Sequence, residues 1–300
     1  MPGPGPLAQL ARALPSHGRG HWFKSSTAHH KDRLFSVIFR LASTALAAMT
    51  TTTVSETVSP VAPAHSSATA FWRDDFVRHE DQHARVVLRD VGPLASVVDA
   101  GLRSSLPTFQ LGETGTGAHL LAMARKVGDE DYVEALRLFI KEEQEHARLL
   151  ALVCNALDIQ MLDSHWTDGV FQTVRRLFGL RAEVLVLLVA EFVSLRFYEV
   201  LAQGVGDPTL ARIFARIQGD EHRHLEFHAA TLPEHLDRWP SPIRSFAHVV
   251  WFTLVVGSAA VVATDHRKAL RACGTSPLRF FRDVTAVLRA QHRRFFRTPQ

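Results

Sequence analysis

The chain has 300 residues, of which 46% are apolar and 21% are charged, and this composition excludes a disordered or fibrous protein. Its two cysteines, Cys154 and Cys273, exclude a disulfide scaffold or a cysteine-built zinc site, and they fit a reducing, cytoplasmic compartment. The net charge of +4 comes from residues 1–48, which carry six Lys and Arg against one Asp, whereas residues 49–300 carry −1. No nucleic-acid partner is therefore expected from the charge.

The N-terminal segment is rich in Pro, Gly, Ser, Thr and Ala and has no sustained apolar period. Within it, residues 7–31 resemble a transfer-RNA gene translated as protein. On that interpretation the true start is Met49, residues 1–48 are a mis-annotated extension, and residues 49–70 form a short disordered leader. The alternative is an amphipathic targeting segment. In both cases the folded domain is expected to span residues 71–300.

Apolar residues recur at intervals of three and four from residue 71 onward, and this period predicts helices rather than strands. Breaks are predicted at Val127–Asp129 and at Gly204–Pro208, where glycine ends one helix and proline begins the next. Another helix is predicted to end before Pro233. The predicted helices span residues 71–90, 109–126, 130–157, 179–203, 208–231, 243–265 and 277–297. The predicted fold class is therefore all-α, with the helices packed as a bundle.

A Glu-x-x-His motif places a carboxylate and an imidazole one turn apart on the same face of a helix. The motif occurs three times, as the pairs Glu80/His83, Glu143/His146 and Glu221/His224. Since chance alone gives about one such pair in a chain of this composition, the motif by itself is weak evidence for a metal site.

A repeat over longer distance separates two of these pairs from the third. Glu113 lies 30 residues before Glu143, and Glu191 lies 30 residues before Glu221. Each of these glutamates lies 13 residues from the turn of its predicted hairpin, which is roughly 20 Å along a helix. Two hairpins packed face to face would bring together Glu113, Glu143, His146, Glu191, Glu221 and His224. The Glu80 pair lacks this repeat, so it is predicted to lie on a solvated helix face with Asp74, Asp75 and Asp81.

Two motifs, IKEEQEHARLL (140–150) and IQGDEHRHLEFH (217–228), together with Glu191 in LLVAEFVSLRFYEVL (187–201), resemble the ferritin-like di-iron carboxylate superfamily. The resemblance covers residues 105–232 and implies a four-helix bundle there, to which one N-terminal helix and two C-terminal helices over 243–300 are added. It also implies two bound iron ions, with manganese as the alternative. The ligands that it implies are Glu113 and Glu191 as outer ligands, Glu143 and Glu221 as bridging ligands, and His146 and His224 as one nitrogen per metal.

The glutamates differ in how well the local sequence supports them. Glu113 lies among poor helix formers, Gly112–Gly117, so either its helix begins late or a loop packs against the site. Glu191 is the only charged residue between Val184 and Val193, where a lone carboxylate needs a partner. Structural ion pairs among the six residues are the alternative to a metal site.

Four further residues lie beside the six. His228 shares the face of His224 and is either an additional ligand or a hydrogen-bonded neighbour of the ligands. Tyr198, seven residues after Glu191, donates an electron or a hydrogen bond, or is simply a core aromatic residue. Asp220 and Glu142 precede the bridging glutamates and either orient the ligand histidines or lie in solvent.

The C-terminal region carries an 18-residue run without formal charge, Phe246–Ala263, which reaches the lower limit for a membrane span. A helix buried against the bundle is expected, with a membrane segment as the alternative. The last helix is rich in Arg and Phe, so it either packs with a basic outer face or lies on an anionic membrane surface. Phe192, Phe197, Trp251 and Phe252 are expected to line an apolar pocket beside the site, unless they simply fill the core.

The resemblance implies a di-iron oxygenase or oxidase that activates O₂ with electrons from an external donor and oxidises a small or lipid-like organic substrate. One alternative is a ferroxidase or peroxide-handling protein, and another is a non-enzymatic membrane-associated helical protein. A storage subunit is little more than a bundle, whereas this chain is predicted to add helices on both sides of it. A homodimer and a peripheral membrane contact are the further partners considered.

Overall fold

The structure, a computed structural model, describes residues 67–82, 88, 91–163, 179–236 and 240–296. All of them belong to the unit that comprises residues 40–300. Among the described residues 84% are helical and none lies in a strand, so the predicted all-α class is confirmed. The predicted N-terminal extension, most of the predicted leader and His83 lie outside the described residues.

Ten α-helices occur in this part of the chain. They are α1 (Ser67–Gln82), α2 (Ser96–Arg103), α3 (Leu106–Gly112), α4 (Ala118–Ala124), α5 (Glu130–Ala156), α6 (Gly179–Gly204), α7 (Pro208–Leu236), α8 (Ser241–Asp265), α9 (Arg267–Ala272) and α10 (Pro277–Phe295). A 3-10 turn, Arg125–Val127, follows α4. Helix α1 begins four residues before the predicted start of the folded domain.

Local capping explains why α5 and α7 begin where the sequence predicts. Asp129 caps α5 because its side chain accepts the backbone N–H of Tyr132 at 2.9 Å, and Gly128 before it has a φ of +82°. Asp207 caps α7 by accepting the N–H groups of Thr209 and Leu210. These caps satisfy backbone donors that have no partner within the helix.

Three predicted boundaries are wrong. The predicted helix 109–126 is broken into α3 and α4, because the intervening segment ends at Gly117 with a φ of +63°, a conformation that interrupts a helix. Helix α7 continues through Pro233 to Leu236, and only its last turn lies beyond the proline, so few backbone hydrogen bonds are lost. Helix α1 is described as far as Gln82, and Leu88, which lies within the predicted helix to residue 90, is not helical.

The interior of the molecule is formed chiefly by α5, α6 and α7. Helices α6 and α7 make the most extensive helix pair, joined by a turn of three residues, and α1 and α3 pack against α5. Helix α4 contacts both α5 and α6, whereas α8 and α10 pack on the outer side of α6 and on each other. Four segments, the α3–α4 region, α5, α6 and α7, therefore enclose the residues of the candidate site.

Of the four aromatic residues expected to line a pocket, Phe192, Phe197 and Trp251 are buried in the core, and Phe252 is partly buried against it. Trp251 is buried, donates its indole N–H to the carbonyl of Leu185 at 2.8 Å, and meets the edge of Phe192 at 5.6 Å between ring centroids. Phe197 is also buried and stacks on Phe109 at 3.9 Å between centroids. Burial of these rings joins α6 to α8 and to α3.

Candidate metal centre

The structure brings the six predicted ligand residues together in the interior. They form two overlapping groups, Glu113–Glu143–His146–Glu221 and Glu143–Glu191–Glu221–His224. Within each group, one oxygen or nitrogen atom from every residue lies within 4.8 Å of the others. Glu143 and Glu221 belong to both groups, so they lie between the remaining pairs.

Regular helices position five of these residues, and a helix end positions the sixth. Glu143 with His146 on α5, and Glu221 with His224 on α7, are each separated by three residues and so share a face. Glu191 lies in the middle of α6. In contrast, Glu113 is the C-terminal cap of α3, immediately before the non-helical segment that its poor helix-forming neighbours led us to expect.

Four buried atoms of these groups point towards one another without forming a hydrogen bond. They are Nδ1 of His146, Nδ1 of His224, Oε1 of Glu143 and Oε2 of Glu191. The Nδ1 atom of His224 lies 3.1 Å from Glu143 Oε1 and 3.4 Å from Glu191 Oε2. A buried polar atom without a hydrogen bond costs about 1–3 kcal/mol, and a cation placed among these atoms would remove that cost.

The opposite nitrogen of each imidazole is held by a carboxylate from the facing helix. His146 Nε2 lies 3.1 Å from Asp220 Oδ2, and His224 Nε2 lies 3.0 Å from Glu142 Oε2. Because a carboxylate can only accept, each Nε2 carries the shared proton, which leaves Nδ1 as the atom available to a metal. Of the two roles that the sequence allows for Asp220 and Glu142, the structure therefore has them orienting the histidines.

A further layer behind these carboxylates was not predicted from the sequence. His79 of α1 places Nδ1 3.0 Å from Glu142 Oε1, and Arg223 of α7 places Nη1 3.4 Å from the same oxygen. Arg223 also contacts His79 and forms an ion pair with Asp75 at 3.3 Å. The prediction of a solvated face fits Glu80 and Asp74, which are exposed, whereas Asp75 is half-buried because α1 packs against α5 and α7.

Burial and mutual repulsion make the carboxylates hard to ionise together. Burial raises the pKa of Glu113 to about 8, and the charge of Glu143 adds to this rise. Burial and the nearby Glu191 raise the pKa of Glu221 well above its usual value. Burial would also raise the pKa of Glu143, but the adjacent imidazoles of His146 and His224 lower it below its usual range. Two divalent cations would balance the four negative charges of the fully ionised glutamates.

Tyr198 and His228 lie close to the centre in different ways. The Tyr198 hydroxyl donates to Glu113 Oε1 at 2.8 Å, and the tyrosine ring is completely buried against Phe109. His228 is buried beside Phe139, with 5.1 Å between ring centroids, and neither of the two groups includes it. Of the roles considered, the structure gives Tyr198 that of a hydrogen-bond donor to Glu113.

Comparison with protein families, curated proteins and solved structures finds no match to this chain. The donor set, the buried atoms without a hydrogen bond and the oriented imidazoles show a cluster of Glu and His side chains that could hold metal ions.

Proposed function

We propose that this protein is a ferritin-like di-metal carboxylate oxidoreductase that activates O₂ to oxidise a small or lipid-like organic substrate. The observation that carries the proposal is the pair of overlapping ligand groups that share Glu143 and Glu221. Two carboxylates common to both groups are the arrangement needed to bridge two ions. A chain that needed only one structural ion would have no use for the second group.

The donor chemistry favours iron or manganese. Each ion would receive one imidazole nitrogen, oxygen from one outer glutamate and oxygen from the two bridging glutamates. Carboxylate oxygens suit hard cations, and imidazole suits iron. In helical proteins this combination of four glutamates and two histidines is the di-iron and di-manganese pattern.

When bound, two redox-active ions would supply electrons to O₂, and an external donor would restore them. The chain's own residues orient the ligands and exclude water. Asp220 and Glu142 hold the two imidazoles, and Tyr198 holds Glu113. Phe139 covers one side of His224 with 4.6 Å between ring centroids, so the imidazole lies against an apolar wall.

Burial of Glu191 and Glu221 favours an oxidase or oxygenase over a storage ferroxidase. A ferroxidase that feeds a mineral needs a path of carboxylates along which iron can travel, whereas Glu191 and Glu221 have side chains only 3% and 2% exposed. Helices α8 and α10 cover the outer side of α6, which carries Glu191. These additions to the helices around the site would serve a substrate-oxidising enzyme better than a storage subunit.

Oxygen consumption by the reduced protein tests this function. Protein loaded with two equivalents of ferrous iron under argon should be mixed with O₂, with and without small hydrophobic acids, amines and fatty acids. We expect at least one compound class to accelerate oxygen uptake and to gain oxygen or lose hydrogen in the mass spectrum. The variant Glu143→Ala should lack this response, whereas Glu80→Ala, at an exposed glutamate, should retain it.

Two outcomes would contradict the proposal. Oxygen uptake that no organic compound alters, with ferric mineral accumulating, would indicate a ferroxidase. Protein that retains no metal after purification and binds none on titration would indicate a non-enzymatic helical protein.

A further inference from the structure

The charge of the chain is strongly divided between two regions. Residues 241–300 carry ten Lys and Arg against two Asp, a net charge of +8. Residues 49–240 carry 18 Lys and Arg against 27 Asp and Glu, a net charge of −9. The small overall charge therefore hides a basic region, which coincides with helices α8, α9 and α10.

Helix α8 lies within this basic region and has an exposed apolar face. It is long and apolar enough to cross a membrane, yet only 28% of its most apolar 18-residue window is buried. Its buried residues recur every four positions, as Ala247, Trp251, Val255, Ala259 and Ala263. Phe246 and Val249 on the opposite side are 43% and 64% exposed. A core helix of this composition would instead be buried on most of its surface.

Exposed cations border this apolar face along α10. Helix α10 meets α8 where His292 contacts His248, with Nδ1 and Nε2 2.7 Å apart. Arg282, Arg289 and Arg293 are exposed, and their spacing of seven and four residues places them in one row beside the α8 contact. The start of α9 adds exposed Arg267 and Lys268 immediately after α8.

The packing of α8 decides how it would meet a lipid bilayer. Its buried stripe extends from Ala247 to Ala263, and Trp251 is anchored to α6 through the Leu185 carbonyl. A helix attached to the protein along its whole length cannot be surrounded by lipid, so it cannot span the bilayer by itself. It can lie parallel to the surface with its free face in the interfacial layer.

We propose that the face formed by α8 and α10 binds an anionic membrane surface. The side chains of Phe246 and Val249 enter the apolar boundary, while the Arg282, Arg289 and Arg293 guanidinium groups contact lipid phosphates. A nucleic acid would leave the apolar row of α8 without a partner. A second copy of the chain would bring two basic regions together, and like charges oppose that contact.

Vesicle sedimentation with the full chain tests this surface. We expect the protein to bind vesicles of phosphatidylcholine with phosphatidylserine, to bind phosphatidylcholine vesicles much less, and to be released by high salt or alkaline carbonate. Each Arg→Gln change in the α10 row should lower the partition coefficient about fivefold. Val249→Ser should also weaken binding, because it places a hydroxyl in the apolar layer.

Two matched variants control for nonspecific effects. Val97 is 64% exposed, as Val249 is, but lies on α2, so Val97→Ser should leave vesicle binding unchanged. Arg125 is exposed beyond α4, so Arg125→Gln removes the same charge from another part of the surface. Circular dichroism and metal content should be unaltered in all these variants, which separates this proposal from the proposed enzymatic function.

Several results would overturn the proposal. Equal binding to neutral and anionic vesicles, or equal losses in the α10 and control variants, would remove the role of the cationic row. A concentration-dependent dimer that Val249→Ser dissociates, with no vesicle binding, would show that a second copy covers this face. Retention in the membrane after alkaline carbonate would show a spanning helix instead.

Discussion

The candidate centre has two halves that share Glu143 and Glu221. The Glu113 half adds Glu113 and His146, and the Glu191 half adds Glu191 and His224. The two halves present equivalent side chains on different kinds of backbone. Glu191 projects from the middle of α6, a regular helix of 26 residues. Glu113 caps the seven-residue helix α3, just before the chain breaks. Both nevertheless reach the shared residues Glu143 and Glu221. Equivalent ligand positions therefore do not require equivalent secondary structure.

Different forces hold the two outer glutamates. The regular hydrogen bonds of α6 fix the backbone at Glu191, whereas Glu113 depends on tertiary contacts, among them the hydrogen bond from Tyr198. Helices of seven residues have little stability of their own. We therefore expect the Glu113 half to respond to changes around it that leave the Glu191 half intact.

The largest expected effect comes from the residues common to both halves. Glu143→Ala or Glu221→Ala should reduce bound metal from about two ions per chain to nearly none, because a bridging ligand serves both ions. Inductively coupled plasma mass spectrometry on protein purified without added metal measures this. Glu80→Ala is the control, since Glu80 is exposed and pairs with Lys141. Equal metal loss in all three variants, or loss of only one ion on removal of a bridge, would contradict the assignment.

The carboxylates behind the histidines should affect the halves separately and in a crossed manner. Asp220 lies on α7 but holds His146 of α5. Asp220→Asn should therefore lower the metal affinity of the Glu113 half about 10–100-fold. Glu142→Gln should lower the metal affinity of the Glu191 half, which contains His224, by a similar factor. Calorimetric titration with manganese resolves the two affinities.

Glu145→Gln provides the control for this pair. Glu145 is on α5 close to Glu142 but pairs with Arg148 rather than with a histidine. Its substitution should leave both affinities unchanged. If Asp220→Asn weakened the half that contains His224 instead, the crossed arrangement of carboxylates would be wrong.

Local signals predicted the parts of this structure that depend on local forces. Helices α5 and α6 lie within one residue of their predicted bounds, because Asp129 with Gly128 and the glycines at 204 and 206 act within a few residues. The spacing of 30 residues predicted which glutamates converge. For Glu191 and Glu221 the reason holds, because α6 and α7 flank a short turn and bring them to one height, whereas Glu113 reaches the same place although its helix is broken.

Two features were not predictable in the same way, because they depend on how distant segments dock. The poor helix formers at residues 112–117 indicated a loop there, but the contact of Gly117 with Ile140 of α5 is contained in no local pattern. The layer of His79 and Arg223 exists only because α1 packs across α5 and α7. A sequence pattern identifies the amphipathic face of a helix, but not the helix on which that face will rest.

Substitution of the glycine that forms this break should disturb one half of the centre. Gly117 has a φ of +63°, and an added Cβ would lie 2.4 Å from Cδ1 of Ile140. Gly117→Ala should therefore lower the free energy of unfolding by about 1–3 kcal/mol and weaken the Glu113 half more than the Glu191 half. Denaturant unfolding and metal titration measure the two effects.

Gly112 at the end of α3 is the matched control on the other side of Glu113. A Cβ there would meet nothing within 4 Å, and the residue is helical, so Gly112→Ala should leave stability unchanged or raise it by up to about 1 kcal/mol. Equal destabilisation by both substitutions would show that the strained turn at Gly117 is not what positions this segment.

The smallest expected effect concerns the hydrogen bond that holds Glu113. Tyr198→Phe keeps the buried ring against Phe109 and removes only the hydroxyl that donates to Glu113. The free energy of unfolding should fall by about 0.5–1.5 kcal/mol. Two ions should still bind, with a reduced affinity at the Glu113 half and an unchanged affinity at the Glu191 half.

Tyr132→Phe is the control because Tyr132 is the only other tyrosine in the chain and is equally buried. It lies 11 residues before Glu143 on α5, which is roughly 16 Å along the helix, so its hydroxyl is far from the ligands. If Tyr198→Phe weakened both ions equally, the tyrosine would act on the core as a whole. A loss of affinity confined to the Glu113 half would instead show that the hydrogen bond from Tyr198 positions Glu113, whereas the helical backbone of α6 positions Glu191.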